Sequence, residues 1–180
     1  EIFIKDQVSS STNGEINIGN FAGNFVEGFR LNEVVYQEEG LIIFSAGNIY
    51  IDPDLSRIIT GKFSLSQLVI NNSYYNYDNQ KSESQILTEK SSLINWCFYI
   101  SSLIIEKSLF IYKESAYDLQ GEIKFEYNDE TQLDISVLKV QSPNFISPLV
   151  LSDGIIGIYN EELIISNLTA QSDWLSGKID

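Results

Sequence analysis

The stretch KFSLSQLVI (62–70) decides the fold class of this chain, because apolar and polar residues alternate along it with a period of two. Such an alternation places every second side chain on the same face of a β-strand. The same pattern recurs in EINIG (15–19), GNIYID (47–52), GEIKFEY (121–127) and QLDISVLKV (132–140). These segments are rich in residues that suit half-buried strands. The sequence therefore predicts an almost entirely β protein.

Turn-forming residues separate the predicted strands. Glu39-Gly40 and Asp153-Gly154 are typical of tight turns between strands. A helical period is nearly absent, so we expect helix only as short turns. One is predicted near residues 53–60, where Asp52 can cap a turn that Pro53 opens. The other is residues 84–93, whose pattern fits a loop equally well.

An internal repeat relates LSQLVINNSYYNY (65–77) to ISSLIIEKSLFIY (100–112) at an offset of 35 residues. Identical residues at this offset are Phe63/Phe98, Ser66/Ser101, Leu68/Leu103, Ile70/Ile105, Ser73/Ser108 and Tyr77/Tyr112. Recurrence at this spacing is typical of elongated repeat proteins, although β-rich sequences of Ile, Ser and Leu also echo themselves. We expect Leu68/Leu103 and Ile70/Ile105 to occupy equivalent positions on one side of the sheet.

The repeat also suggests how the chain is organised. Residues 14–77 and 93–180 are predicted to form two units of one domain, joined by a polar connector at residues 78–92. The chain is expected to be a segment of a longer protein.

The composition excludes several function classes. The 180 residues include 11 Lys and Arg against 25 Asp and Glu, which gives a net charge of −14 and argues against a nucleic acid partner. The chain has no histidine and a single cysteine, Cys97, which removes the common catalytic pairs and thiolate zinc sites. Acidic pairs such as Asp52/Asp54 fall in predicted turns. We expect no enzymatic activity, no cofactor and no metal.

The order of elements in residues 14–78 carries a family resemblance. The matching elements are Gly23-Asn24-Phe25, Gly28-Phe29-Arg30-Leu31, the strand from Val34 to Glu39-Gly40, Tyr50-Ile51-Asp52-Pro53, Ile58-Ile59-Thr60-Gly61-Lys62 and Leu68-Val69-Ile70. This order resembles the membrane-proximal periplasmic region of TamB, in the wider AsmA-like group. Residues 93–180 resemble the repeats that follow it.

The resemblance implies a fold and a function. The fold is a strongly curved antiparallel sheet, open along one side, with an apolar interior that forms a groove. The function is movement of phospholipid towards the outer membrane and support of outer-membrane protein assembly with a TamA-like barrel partner. The location is the periplasm of a Gram-negative bacterium, with the parent chain anchored in the inner membrane.

A groove for phospholipid acyl chains needs an apolar lining, and a curved sheet supplies one on its inner face. The alternation predicts these lining residues: Ile16, Ile18, Ile49, Ile51, Phe63, Leu65, Leu68, Ile70, Phe98, Ile100, Leu103, Ile105, Ile123, Phe125, Leu133 and Ile135.

The same residues also fit the core of an ordinary two-sheet sandwich. That alternative would be a secreted acidic β-sandwich that binds carbohydrate or a protein partner, with some of the ten tyrosines on its binding face. The two hypotheses differ in whether a second sheet covers the apolar face.

Overall fold

The computed structural model describes residues 14–60, 62–79, 98–128, 130–159 and 162–179. Most of these residues lie in strands, as the alternation predicts. The strands are β1 (Gly14–Asn24), β2 (Gly28–Glu38), β3 (Leu41–Pro53), β4 (Phe63–Asn76), β5 (Phe98–Tyr112), β6 (Ser115–Asn128), β7 (Glu130–Gln141), β8 (Leu149–Tyr159), β9 (Glu162–Ser166), β10 (Leu168–Ser172) and β11 (Leu175–Ile179).

All eleven strands belong to one sheet, which does not close on itself. Strands β1 to β8 follow their sequence order, β9 and β10 both pair with β8, and β11 pairs with β10. This confirms the predicted all-β, open architecture. The prediction of a wholly antiparallel sheet was wrong at one place, because β4 and β5 run parallel. A parallel pair needs a long crossover connection, and residues 77–97 separate these two strands.

The parallel pair explains the internal repeat. Every residue of β4 that pairs with β5 lies beside the residue 35 positions later, so Leu68 is the partner of Leu103 and Ile70 is the partner of Ile105. Paired residues on neighbouring strands point to the same face. The predicted equivalence of these two pairs is therefore confirmed.

Helix is limited to two short turns in the described residues. The α-helix α1 (Leu55–Ile58) begins after Asp54, whose carboxylate accepts a hydrogen bond from the backbone N–H of Arg57 at 3.3 Å. This confirms the helical turn predicted near residues 53–60. The predicted cap was wrong, because Asp54 caps the helix, whereas Asp52 and Pro53 are the last two residues of β3. The second is a 3-10 turn at Tyr77–Asn79. Neither approaches the length of apolar helix that a membrane crossing requires.

Several predictions concern residues 80–97, which the structure does not describe. The helical turn expected at residues 84–93, most of the connector at residues 78–92, and Cys97 lie outside the described residues.

A row of residues with left-handed backbone crosses the middle of the sheet. The non-glycine members are Glu33, Asn72, Lys107, Asp153 and Asn167, with φ between 51° and 56°. Left-handed residues within a strand interrupt the ladder and bend the strand. The register places them near one another: Glu33 lies opposite Gly47, and Gly47 lies opposite Asn72. The sheet is therefore bent along a line that runs across its strands.

The turn predicted at Asp153-Gly154 was wrong. Asp153-Gly154 is not a connection between strands, because both residues lie inside β8. The left-handed backbone of Asp153 places it in the bend row instead. Asp and Gly tolerate this conformation, which is why the same residues also suggest a turn.

The bend also shifts the alternation of side chains. Leu31 and Val34 are three residues apart, as are Ala46 and Ile49, yet all four belong to one buried cluster with Ile18. In a regular strand, residues three apart would point to opposite faces. In β2 the left-handed Glu33 lies between Leu31 and Val34 and adds one residue to their spacing. In β3 the same spacing follows from the pairing of Leu31 with Ile49 and of Val34 with Ala46, so apolar side chains on both sides of the bend lie on the same face.

Candidate functional site

The candidate site is one face of the bent sheet, which we call the trough. It is built from six rungs, each a set of residues paired across neighbouring strands. In order along the strands, the six rungs are Phe63–Phe98–Tyr127, Leu65–Ile100–Phe125–Leu133, Ile51–Leu68–Leu103–Ile123–Ile135, Leu31–Ile49–Ile70–Ile105, Val34–Ala46–Ser73–Ser108 and Tyr36–Phe44–Tyr75–Phe110–Tyr117. None of these residues carries a charge at neutral pH.

The trough contains all sixteen residues predicted to line a groove. Fourteen of them are named in the rungs above, and the other two are Ile16 and Ile18 of β1, which pair with Tyr36 and Val34. The sixteen residues thus share the rungs of the trough or pair with them. That these side chains contact lipid stays a prediction.

The middle of the trough is only partly shielded from solvent. Leu68, Ile70, Leu103 and Ile105 are half-buried, although they lie on central strands of the sheet. All eleven strands belong to the same sheet, so no second sheet built from the described residues lies over them. Other parts of the trough are more enclosed: Ile135 on β7 is 2% exposed, and Leu65 and Ile100, at one end of β4 and β5, are 5% and 4% exposed.

The first rung forms an apolar lip. The rings of Phe63 and Phe98 stack with centroids 5.1 Å apart, and Phe63 and Tyr127 are each 44% exposed. Further along the same lip, Ile158 and Leu163 are paired and 50% and 64% exposed. Large apolar side chains thus lie at the entrance to the trough.

Several residues of the trough were missed by the alternation. They are Phe29, Leu31, Val34, Phe44, Ala46, Leu138, Leu151, Ile156, Ile165 and Leu168. Many lie next to the bend row, where the apolar spacing changes from two to three. The available signal is the change in apolar spacing itself, as in Leu31-Asn32-Glu33-Val34, where Glu33 is the left-handed residue.

The opposite face beside the bend is polar. The side-chain amide of Asn48 donates to the side-chain oxygen of Asn32 at 2.6 Å, and that of Asn71 donates to the Glu106 carboxylate at 2.9 Å. Rows of amide side chains across neighbouring strands fix their register. The two faces of the sheet are therefore chemically distinct.

Aromatic rings dominate the sixth rung. Tyr75 and Phe110 are stacked with centroids 5.6 Å apart and planes 2° apart, and Tyr117 lies 6.4 Å from Phe110. Burial raises the pKa of the Tyr75 phenol, and the nearby Tyr77 and Glu38 raise it further. This rung is therefore largely aromatic and shields the Tyr75 hydroxyl from solvent.

Acidic side chains do not gather into a metal-binding cluster in the described part of the chain. It contains no group of three or more His, Cys, Asp or Glu side chains placed to hold a metal ion. No model of a known protein family matches the sequence, and no curated protein matches it either.

Proposed function

We propose that this chain is a periplasmic, non-enzymatic segment of a TamB/AsmA-like protein, and that its trough carries the acyl chains of phospholipids between the inner and outer membranes. The observation that supports this most directly is the uncharged, largely apolar face of a single open sheet. The half-buried Leu68, Ile70, Leu103 and Ile105 lie at its centre.

The energetics of the trough suit an acyl chain. Each methylene moved from water to an apolar surface stabilises the bound state by about 0.8 kcal/mol. A charge on the path would have to lose water as each chain passes, which costs several kcal/mol. The rungs contain no such charge, and the two hydroxyls of the fifth rung, on Ser73 and Ser108, hydrogen-bond to each other.

The remaining parts of the proposal come from the family resemblance. They are the inner-membrane anchor of the parent chain, the periplasmic location, and a TamA-like barrel partner during outer-membrane protein assembly. The net charge of −14 is compatible with them, because it disfavours adsorption to anionic membrane surfaces.

The test is site-specific photo-crosslinking in cells that express the full-length parent protein. A photoreactive residue at position 70 or 105 faces the trough, and one at position 69 or 104 faces the opposite side of the same strands. We expect phospholipid adducts at 70 and 105 and few at 69 and 104. A folded protein with no lipid adduct at 70 or 105, or equal labelling at all four positions, would contradict the proposal.

A second candidate is binding of carbohydrate or a protein partner by a secreted protein. The stacked rings of Tyr75 and Phe110 favour it, because flat aromatic surfaces are suited to sugar rings. The two-sheet sandwich that accompanied this hypothesis is not the architecture of the described strands, which form one sheet. Saturable sugar binding that is lost in Phe110→Ala, without lipid adducts, would favour this candidate.

A further inference from the structure

A small cavity lies at the lip of the sheet, between the first rung of the trough, Phe63–Phe98–Tyr127, and residues of the opposite face. It has a volume of about 60 Å³, and the residues that matter to its chemistry are Arg57, Lys62, Ser64, Tyr99 and Glu126. Ser64, Tyr99 and Glu126 are paired across β4, β5 and β6, so they point to the same face. The volume has room for about four water molecules. It fits a small polar group and excludes an acyl chain.

The hydroxyl of Ser64 makes no hydrogen bond to another described group of the protein. Ser64 is also 0% exposed. A buried hydroxyl without a partner is unfavourable, so native proteins rarely keep one. Because Ser64 lines the cavity, a bound group with a hydrogen-bonding oxygen would satisfy it.

Two cations border the cavity. The guanidinium of Arg57 lies over the ring of Tyr99, 4.3 Å from its centroid, and its Nε is 3.4 Å from the carboxylate of Asp54. These contacts orient Arg57 before any ligand binds. Lys62 is exposed and has no ion pair within the described part of the chain. Arginine, lysine and a hydroxyl are the groups that commonly hold a phosphoryl oxygen.

Carboxylates balance these cations. Asp54 lies beside Arg57, and Glu126 lines the cavity. A site with equal numbers of positive and negative groups, on a chain of net charge −14, disfavours a multiply charged anion. It suits a ligand that carries one negative and one positive charge.

We propose that this cavity binds a zwitterionic phosphodiester with a primary ammonium group. The phosphoryl oxygens contact Arg57, Lys62 and the Ser64 hydroxyl, and the ammonium contacts Glu126. The cavity opens next to the stacked rings of Phe63 and Phe98, which begin the trough. Assignment of this ligand as the headgroup of a phospholipid whose acyl chains enter the trough rests on the proposed function.

The experiment uses water-soluble probes and the ¹⁵N-labelled chain. Glycerophosphoethanolamine carries both charges, glycerophosphoglycerol carries the same phosphodiester without the ammonium, and inorganic phosphate tests a free anion. We expect saturable shifts of the amides of Ser64, Tyr99 and Glu126, with the first probe binding about threefold to tenfold more tightly than the second. Inorganic phosphate should bind most weakly.

Matched variants assign the contacts. Lys62→Gln should weaken both phosphodiesters by about threefold to tenfold, and Glu126→Gln should remove the preference for the first. Ser64→Ala should weaken binding without lowering the melting temperature, because it removes a hydroxyl that makes no hydrogen bond to the described part of the protein. Lys139→Gln, on an exposed lysine away from the cavity, is the control and should change nothing.

Three results would overturn the inference. They are the absence of saturable shifts, equal affinity for all three probes, and affinities that the Lys62 and Glu126 variants leave unchanged. Two combinations of results distinguish an error about this cavity from an error about lipid transport. Lipid adducts at position 70 without probe binding would remove only this site. Probe binding without lipid adducts would keep the site but not its assignment as a lipid headgroup site.

Discussion

The hydroxyls of Ser73 and Ser108 are hydrogen-bonded to each other, with their oxygens 2.5 Å apart, in an otherwise apolar rung of the trough. The two residues are identical, lie 35 positions apart and are neighbours on parallel strands. Each serine hydroxyl thus has the equivalent serine of the adjacent strand as its hydrogen-bond partner.

This pairing predicts a strongly non-additive double-mutant cycle. Ser108→Ala or Ser73→Ala alone leaves one hydroxyl without its partner and should lower the free energy of unfolding by about 1–2 kcal/mol. The double variant removes both hydroxyls and should recover most of that loss. Urea unfolding of the four proteins measures the effect. Additive losses would show that the two hydroxyls do not depend on each other.

The repeat could be predicted from the sequence, but its strand direction could not. The offset of 35 identifies Leu68 and Leu103 as equivalent, and equivalent residues occur in both parallel and antiparallel arrangements. Direction depends on how the chain between β4 and β5 crosses the sheet, which alternation does not encode. The apolar face could therefore be predicted, whereas the parallel pair at its centre could not.

The bend row was missed for a different reason. Period-two alternation continues on each side of Asn72, but one left-handed residue shifts its phase, so Ile70 and Ser73 share a face. The cation-lined cavity was also missed. Arg57 and Lys62 are far from Glu126 in the sequence, and the pairing of β4, β5 and β6 brings the two segments together.

The left-handed backbone at Asn72 predicts opposite effects of two substitutions. Asn72→Val should lower the free energy of unfolding by about 1–2 kcal/mol, because a β-branched residue is strained at a φ of 51°. Asn72→Gly should be neutral or slightly stabilising, since glycine adopts this conformation freely. Thermal unfolding monitored by circular dichroism compares the two. Equal stability of both variants would argue against a left-handed residue at this point.

Gly121 is predicted to tolerate no side chain. A Cβ at this position would overlap the carbonyl oxygen of Val137 and lie 2.8 Å from the Cα of Leu138 on the neighbouring strand. Gly121→Ala should therefore lower the free energy of unfolding by about 1–3 kcal/mol. Gly177→Ala is the control, because a Cβ there meets no atom within 4 Å. If urea midpoints of the two variants coincide, β6 and β7 do not approach this closely.

Tyr75 predicts a loss of stability at alkaline pH. Burial raises the pKa of its phenol above the ordinary value of 10.0, so the folded protein keeps this proton when the unfolded chain releases it. The stabilisation is complete below pH 10.0 and is lost as the pH rises through the pKa of the folded state. Tyr75→Phe should therefore show a shallower decline in unfolding free energy above that pH. Identical slopes in urea titrations of the two proteins would contradict the shift.

The open centre of the trough predicts that two isoleucines on the same face contribute unequally to stability. Ile135 is 2% exposed, so Ile135→Ala leaves a cavity and should cost about 3–4 kcal/mol of unfolding free energy. Ile70 is half-buried on a central strand, so Ile70→Ala removes the same atoms from a site that already contacts water. Its cost should be only about 1–2 kcal/mol.

The comparison separates an open trough from a covered core, because the two substitutions are chemically identical. Urea unfolding gives both values, and equal slopes in denaturant show that both variants lose the same structure. If Ile70→Ala costs as much as Ile135→Ala, the centre of the face is enclosed like an ordinary core. The smaller loss is what a surface that receives an apolar ligand would show.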